Sequence, residues 1–191
     1  MSLIYGSNVP KLQLGYQTEV NNKGVKGGTI AGNTPVPFGA VVAYGNETGF
    51  YTAVTNQTSG GAIAGFALGT LISVPSDYPA SDATSYKPGQ AFNLMVKGSL
   101  AVEIANIAGV TNVSNIVEGA DLYVHLTDGN LTTYVNAADT TNYPNYAKVE
   151  GAKFTGIYED QGTNTVTWDS TNSNFVTTHT PKYVAEIEYN L

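Results

Sequence analysis

Cysteine is absent from the 191 residues of this sequence, which excludes disulfide bonds, zinc ribbons and thiol chemistry. A secreted protein of this size often carries disulfides, so their absence favours assembly in a reducing cytoplasm. The first residues, MSLIYGSNVPKLQLGYQ, have neither a basic start nor a continuous apolar run. We therefore expect no signal peptide.

Charged residues are also scarce, at 12% of the chain, which is about half the usual share. The balance is acidic, with a net charge of −7 and a pI near 4.6, and no run of Lys or Arg occurs anywhere. Direct nucleic-acid binding requires a basic face that neutralises phosphates. Nucleic acid is therefore not an expected partner.

Long hydrophobic runs are missing as well. The most apolar stretch, AIAGFALGTLISV from Ala62 to Val74, is shorter than the roughly 20 residues that span a bilayer. Its Gly61, Gly65 and Gly69 match a small-residue helix-packing pattern. A pair of buried strands split by glycine is the preferred interpretation, and no membrane partner is expected.

The residues that are abundant favour strands and turns. The chain contains 21 Gly and 13 Tyr and is rich in Asn and Thr, while hydrophobic residues reach 42%. Thr is β-branched and suits strands, whereas Asn and Gly tolerate the positive φ of turns. This composition predicts a folded chain of many short strands and many turns, with one main domain.

A turn–strand–turn unit recurs after Phe38, in which glycines flank an apolar strand. The four copies are Gly39-AVVAY-Gly45, Gly89-QAFNLMVK-Gly98, Gly119-ADLYVHLTD-Gly129 and Gly151-AKFTGIYEDQ-Gly162. Glycine is needed where the chain enters a strand with positive φ, and we expect this at Gly119 and Gly151. Such units build the sheets of barrels and sandwiches.

Period-two alternation predicts antiparallel sheets with one buried and one wet face. It is clearest for Phe92, Leu94 and Val96, for Leu122, Val124 and Leu126, and for the C-terminal set Tyr183, Ala185, Ile187 and Tyr189. Asp128-Gly129 predicts a two-residue type I′ hairpin turn. Leu100 to Val110 fits a helix or a strand equally well. The predicted fold is an all-β, antiparallel β-barrel or sandwich with long loops and an extended N-terminal arm.

Three polar regions are expected to form these loops. They are Pro75 to Pro88, Asn136 to Tyr146, and Gln161 to Pro181, and the last contains the only tryptophan, Trp168. Tyrosine in such loops offers rigid contact area with a polar tip, which suits interfaces. Ordinary packing of the loops against their own domain is the alternative.

The first 37 residues differ from the rest, with many Gly and Pro and only small apolar groups. We expect residues 1–37 to form an extended N-terminal arm and residues 38–191 to form the β-barrel or sandwich domain. The apolar groups of the arm are Leu3, Ile4, Tyr5, Leu12, Leu14 and Tyr16. An ordinary first strand plus a loop of the main domain is the alternative.

Catalytic, metal and cofactor motifs are not found in the sequence. His125 and His179 lie far from each other and from any tight acidic cluster, so surface roles are expected. Glu159, Asp160 and Asp169 could meet as a carboxylate pair, although adjacent acids are usually only solvated. No P-loop, nucleophile elbow or calcium loop is present. An enzyme is not expected, and neither is a cofactor.

The layout after Phe38 resembles phage capsid decoration and structural cement proteins of the small β-barrel type. The resemblance lies in PFGAVVAYG, GAIAGFALGTLISV, KPGQAFNLMVKGSLAVEI, VEGADLYVHLTDGNLT, VEGAKFTGIYED and the final YVAEIEYNL. It implies a non-enzymatic subunit that forms a homotrimer and is added to the outside of an assembled head. The implied partners are the major capsid protein and copies of the chain itself.

A cement protein stabilises a shell by mass action, because it binds only the assembled state. An extended arm can add a strand to a neighbouring sheet edge. We therefore expect residues 1 to about 16 to be the main capsid-gripping element, with Leu3, Ile4, Tyr5, Leu12, Leu14 and Tyr16 as interface candidates, and the barrel to fold without them. The expected location is the outer capsid surface of a virion. The long Asn/Thr-rich loops leave a receptor- or carbohydrate-binding fibre or spike module as the alternative.

Overall fold

The computed structural model describes Leu12 and residues 14–18, 24–55, 58, 62–69, 84–107, 111–133 and 145–190. Within these residues the chain forms strands and one 3-10 turn, Val113–Asn115, and contains no α-helix. The prediction of an all-β protein is therefore confirmed. None of the described residues belongs to a helix long and apolar enough to cross a membrane.

Thirteen strands are present in the described part of the chain. In chain order they are β1 Gly24–Ile30, β2 Val36–Pro37, β3 Val41–Tyr44, β4 Phe50–Ala53, β5 Ile63–Leu68, β6 Ser85–Tyr86, β7 Ala91–Ile104, β8 Asp121–His125, β9 Leu131–Thr132, β10 Tyr146–Asp160, β11 Thr163–Asp169, β12 Asn174–Thr180 and β13 Tyr183–Asn190.

Five of these strands close into a barrel. The order β1-β4-β3-β5-β7 is completed by pairing of β7 with β1. The β1–β4 pair is parallel and the other four pairs are antiparallel. A closed ring with an odd number of strands cannot alternate direction all the way round, so at least one pair must be parallel. The barrel is confirmed, but it is mixed rather than purely antiparallel.

The long strand β7 joins this barrel to an open extension of the sheet. Its first half pairs with β1 and β5, and its second half pairs with β13 from Lys97↔Asn190 to Ile104↔Tyr183. The extension continues in the order β13-β10-β8-β9. Leu100 to Ile104 is thus a strand, whereas the sequence allowed either a helix or a strand there.

The core lies inside the barrel and under the extension. Its largest cluster contains Phe66, Leu100, Leu122, Phe154 and Ile187, all nearly or fully inaccessible to solvent. A second cluster inside the barrel is formed by Ile30, Val36, Tyr51, Tyr86, Phe92 and Leu94. Of the residues predicted to face inward on β7 and β13, Phe92, Leu94, Ala185, Ile187 and Tyr189 are buried, whereas Val96 and Tyr183 are half-buried.

Two of the four predicted glycine-bounded strands are confirmed, namely β3 after Gly39 and β8 after Gly119. The other two predictions were wrong at one end, because β7 continues through Gly98 and β10 begins before Gly151. Gly119 and Gly151 both have φ of +80°, as predicted. Gly151 lies where the register between β10 and β8 shifts, which accounts for its backbone conformation.

The turn between β8 and β9 is longer than expected. The N–H of His125 donates to the carbonyl of Asn130, and the N–H of Gly129 donates to the carbonyl of His125. Gly129 has φ of +73°, but Asp128 is not among the positive-φ residues. The hairpin is confirmed, whereas its two-residue type I′ turn was wrong because only one residue there adopts positive φ.

The stretch from Ala62 to Val74 holds one buried strand in its described part, β5, and Gly65 lies inside that strand rather than between two. The polar region from Gln161 to Pro181 was expected to be a loop and is instead the hairpin β11–β12. Its Thr and Asn residues made it look like a loop, although Thr also favours strands. Most of Pro75 to Pro88 and of Asn136 to Tyr146 lies outside the described residues.

Candidate functional site

The described residues of the N-terminal segment, Leu12 and residues 14–18, lie along the second half of β7. The N–H groups of Gly15 and Thr18 donate to the carbonyls of Ala101 and Ser99, and Ala101 donates back to the carbonyl of Tyr16. Gln17 forms an antiparallel bridge with Leu100. This docked segment therefore occupies the β7 edge opposite β13, like a short extra strand.

Leu12 is buried by its own chain, with 4% of its surface exposed. It packs with Ala101 and Val184 on the sheet face opposite the main core. Its N–H donates to the carboxylate of Glu159 at 3.2 Å, and Gln161 Nε2 donates to its carbonyl at 2.6 Å. The side chain and both backbone groups of Leu12 are thus bound within the same molecule.

Gly15 permits the close approach of this segment to the barrel. Its φ is +74°, and a Cβ at this position would lie 2.6 Å from the Cβ of Phe38 and 2.8 Å from the backbone nitrogen of Gly39. Both the backbone conformation and the contact require glycine. The segment therefore packs closely against Phe38 and Gly39.

The six predicted interface residues fall into three groups. Leu12 is buried, Leu14 and Tyr16 are half-buried, and Leu3, Ile4 and Tyr5 lie outside the described residues. Leu14 lines a cavity of about 460 Å³ together with Pro35, Phe38 and Val54. Residues 24–37, which were expected to belong to the arm, contribute β1 and β2 to the sheets. An arm that stands apart from the barrel stays a prediction for the residues before Leu12.

A second surface lies on the hairpin formed by β11 and β12, in the region that the sequence predicted as a polar loop. Trp168, Phe175 and Val166 expose 56%, 71% and 60% of their surfaces, and the rings of Trp168 and Phe175 contact edge to face at 5.0 Å. The available signal was the alternation Val166, Trp168 on one strand and Phe175, Thr177 on the next. The many Thr and Asn residues of these two strands made the region resemble a loop, so the alternation was not recognised.

The titratable side chains form structural ion pairs rather than a catalytic group. The His179 ring lies 2.7 Å from Asp160 Oδ2, and this hydrogen bond is the largest of the effects that lower the pKa of the Asp160 carboxyl. Glu159 instead accepts from Leu12, and Asp169 accepts from Thr171 and Asn172 at the far end of the hairpin. These three acids therefore do not form the carboxylate pair that the sequence allowed as a possibility.

Other charges pair in the same way. Lys153 and Lys148 both reach Asp121, and the hydrogen bond from Lys153 is the first cause that lowers the pKa of that carboxyl. His125 Nδ1 lies 2.8 Å from Asp128 Oδ1. In the part of the chain that the structure describes, no three His, Asp or Glu side chains come together as a metal site.

These features define a β-barrel protein with a docked N-terminal segment and an exposed apolar hairpin. The family model for the structural cement proteins, described as E217 gp24/Pam3 gp6, matches residues 3–189. The chain belongs to this family of phage structural cement proteins. A comparison with curated proteins finds no match.

Family membership establishes the general role that the sequence predicted. The protein is a non-enzymatic structural component of the phage capsid, and it stabilises the capsid. This result decides between the two classes that the sequence left open, in favour of the cement protein over the receptor-binding module. Capsid protein is accordingly its partner.

Proposed function

We propose that this cement protein binds across neighbouring major capsid subunits on the outer surface of the assembled head, as a homotrimer, and grips them with the residues before Leu12. The observation that carries the proposal is the anchoring of Leu12. Its side chain is buried and both of its backbone groups are hydrogen-bonded to the barrel. The chain that precedes it therefore starts from a fixed point on the barrel surface.

A fixed starting point lowers the cost of binding. Ordering a free chain costs about 1–2 kcal/mol per residue, so each residue already held by the barrel reduces the loss of entropy on docking. Leu3, Ile4 and Tyr5 form a consecutive apolar group in the preceding segment. Each contributes about 1.5–3 kcal/mol if its side chain becomes buried against the shell.

Binding per copy is expected to be moderate, and strong decoration then follows from many symmetric copies. Because the protein binds the assembled lattice and not free capsid subunits, its binding free energy stabilises assembly by mass action. The apolar surface that a single copy leaves exposed on β11 and β12 supports the proposed trimer, as does the resemblance to capsid decoration proteins.

The test is co-sedimentation with mature, undecorated heads. The variant Leu3→Ser/Ile4→Ser/Tyr5→Ser should lose binding, while the matched variant Ser2→Ala/Ser7→Ala should bind like the wild type. Sedimentation equilibrium of the free protein should give a mass three times 20.1 kDa. Full binding by the triple serine variant would show that these residues are not the grip.

A further inference from the structure

The hairpin β11–β12 has one apolar face and one polar face. Trp168 pairs with Phe175, and Val166 pairs with Thr177 two residues away, so these four side chains share a face. The opposite face carries Thr165, Thr167, Val176 and Thr178. The apolar face is fully open to solvent along its length, since each of its residues is exposed.

The hairpin adds nothing to the core of its own molecule. Thirteen of its strand residues are exposed, and only Asp169 is half-buried. It is inserted between β10 and β13, which already pair directly at Asp160↔Tyr183. A short turn there would connect the same two strands of the sheet, so neither the core nor the connection between β10 and β13 requires the hairpin.

Both edges of this hairpin are open, because β11 and β12 form a two-stranded sheet with no third strand among the described residues. Natural edge strands are usually protected by Lys, Pro or bulges. Here the register is regular from Thr163↔Thr180 to Asp169↔Asn174, and neither strand contains Lys or Pro. An isolated two-stranded hairpin is also marginal in water, which favours completion by another chain.

We propose that the apolar face and open edges of the β11–β12 hairpin bind the same hairpin of a second copy of this chain. The inference rests on the proposed homotrimer and names the surface that forms it. The two edges differ, one being β11 and the other β12. Pairing β11 of each copy with β12 of the next is therefore head-to-tail, and three copies close such a ring with Trp168 and Phe175 inside.

Charge favours a second copy over the capsid as the occupant. The chain carries a net charge of −7, so two copies repel each other over most of their surfaces. Between Thr163 and Thr180 the only acidic residue is Asp169, and no Lys or Arg occurs. Copies that meet through this nearly uncharged element avoid most of that repulsion, while the acidic remainder stays available for other partners.

Trp168 is the only tryptophan in the chain, and it reports directly on this contact. The experiment follows the intact protein by sedimentation velocity and by Trp168 emission over a wide concentration range. The test variant is Val166→Thr/Phe175→Thr, which keeps the probe and places a strand-favouring residue at each site. The matched control is Val176→Thr, which changes the opposite face of the same hairpin.

The expected result is self-association of the wild type with a blue shift of Trp168 emission. The double variant should associate at least tenfold more weakly, and the control should behave like the wild type. Circular dichroism and melting temperature should be the same for all three, since no core residue is changed. A second variant, with residues 163–180 replaced by Asn-Gly, should be a folded monomer.

Three outcomes would overturn the proposal. Unchanged oligomers in the double variant would place the trimer contact elsewhere. A wild type that stays monomeric with constant emission would remove self-association, and a blue shift only on adding undecorated heads would assign the hairpin to the shell. Co-sedimentation of the same variants with heads is scored separately, so a loss of cement function is distinguished from a loss of self-association.

Discussion

The backbone N–H of Leu12 donates a hydrogen bond to the carboxylate of Glu159, across 147 residues of sequence. Glu159 lies near the end of β10, and Gln161 just beyond it binds the carbonyl of the same Leu12. Leu12 is thus held at one point beside the end of β10. The residues before this point are the ones that we propose to grip the capsid.

Two N-terminal deletions should separate stability from binding. Removing residues 1–11 leaves the contacts of Leu12 and Gly15 in place, and the melting temperature should not change. Removing residues 1–16 deletes the buried Leu12 side chain, worth about 1.5–3 kcal/mol, and several backbone hydrogen bonds of about 0.5–1.5 kcal/mol each. The free energy of unfolding should then fall by several kcal/mol, measured by urea denaturation.

Equal stability of the two deletions would contradict the docking of this segment. The sequence alone predicted that the barrel folds without residues 1 to about 16, and the contacts of Leu12 and Gly15 now indicate a substantial cost.

Substitution of Gly119 should destabilise the protein because of its backbone conformation and not because of a clash with neighbouring atoms. Its φ is +80°, yet no atom lies within 4 Å of a Cβ built there. Gly119→Val should therefore cost about 1–3 kcal/mol from strain alone. Gly27→Val is the matched control, since Gly27 has equally open surroundings and lies in β1 without positive φ. Thermal melting of both variants measures the difference, and equal stability would exclude strain at Gly119.

Tyr189 should make the protein sensitive to alkaline pH. It is fully buried against Phe66, and its hydroxyl has no hydrogen-bond partner among the described residues. Burial is the main cause that raises the pKa of Tyr189 to about 12, and Tyr44 adds to it. In the unfolded chain the pKa of tyrosine is about 10, which is lower than the pKa of Tyr189 in the folded protein.

Because the folded pKa is the higher one, stability is complete below about pH 10 and is lost as pH rises toward about 12. Tyr189→Phe should remove this loss, and at neutral pH it should stabilise the protein by on the order of 1 kcal/mol. Urea denaturation at pH 7 and pH 11 measures both effects, with the exposed Tyr158→Phe as control. Destabilisation at pH 7 would reveal a partner for the hydroxyl.

Local patterns were enough to predict several strands of the main sheet. Alternation identified the inward residues of β7 and β13, and glycine identified the turn before β8. Closure of the ring was not accessible in this way, because β1 pairs with both β4 and β7 through contacts distant in sequence. The parallel β1–β4 pair is a consequence of that closure rather than of any local signal.

The exposure predicted from the sequence was wrong for the face of β13 opposite the core. Alternation with Ala185 and Ile187 predicts a wet face that contains Glu186, but Glu186 is nearly buried and accepts a hydrogen bond from Thr155 at 2.8 Å. On the same face Val184 is covered by Leu12. A segment that covers a sheet from the far end of the chain leaves no periodic signal in the strand it covers, so this docking could not be predicted.

The thermal stability of phage heads tests the central claim most directly, namely that residues before Leu12 grip the shell while the barrel holds them in place. Undecorated heads are mixed with the wild type or with the protein lacking residues 1–11, and the temperature of genome release is measured. The wild type should raise this temperature, and the deletion should not, although it remains folded. An equal rise with both proteins would contradict the claim and place the grip on the barrel or its loops.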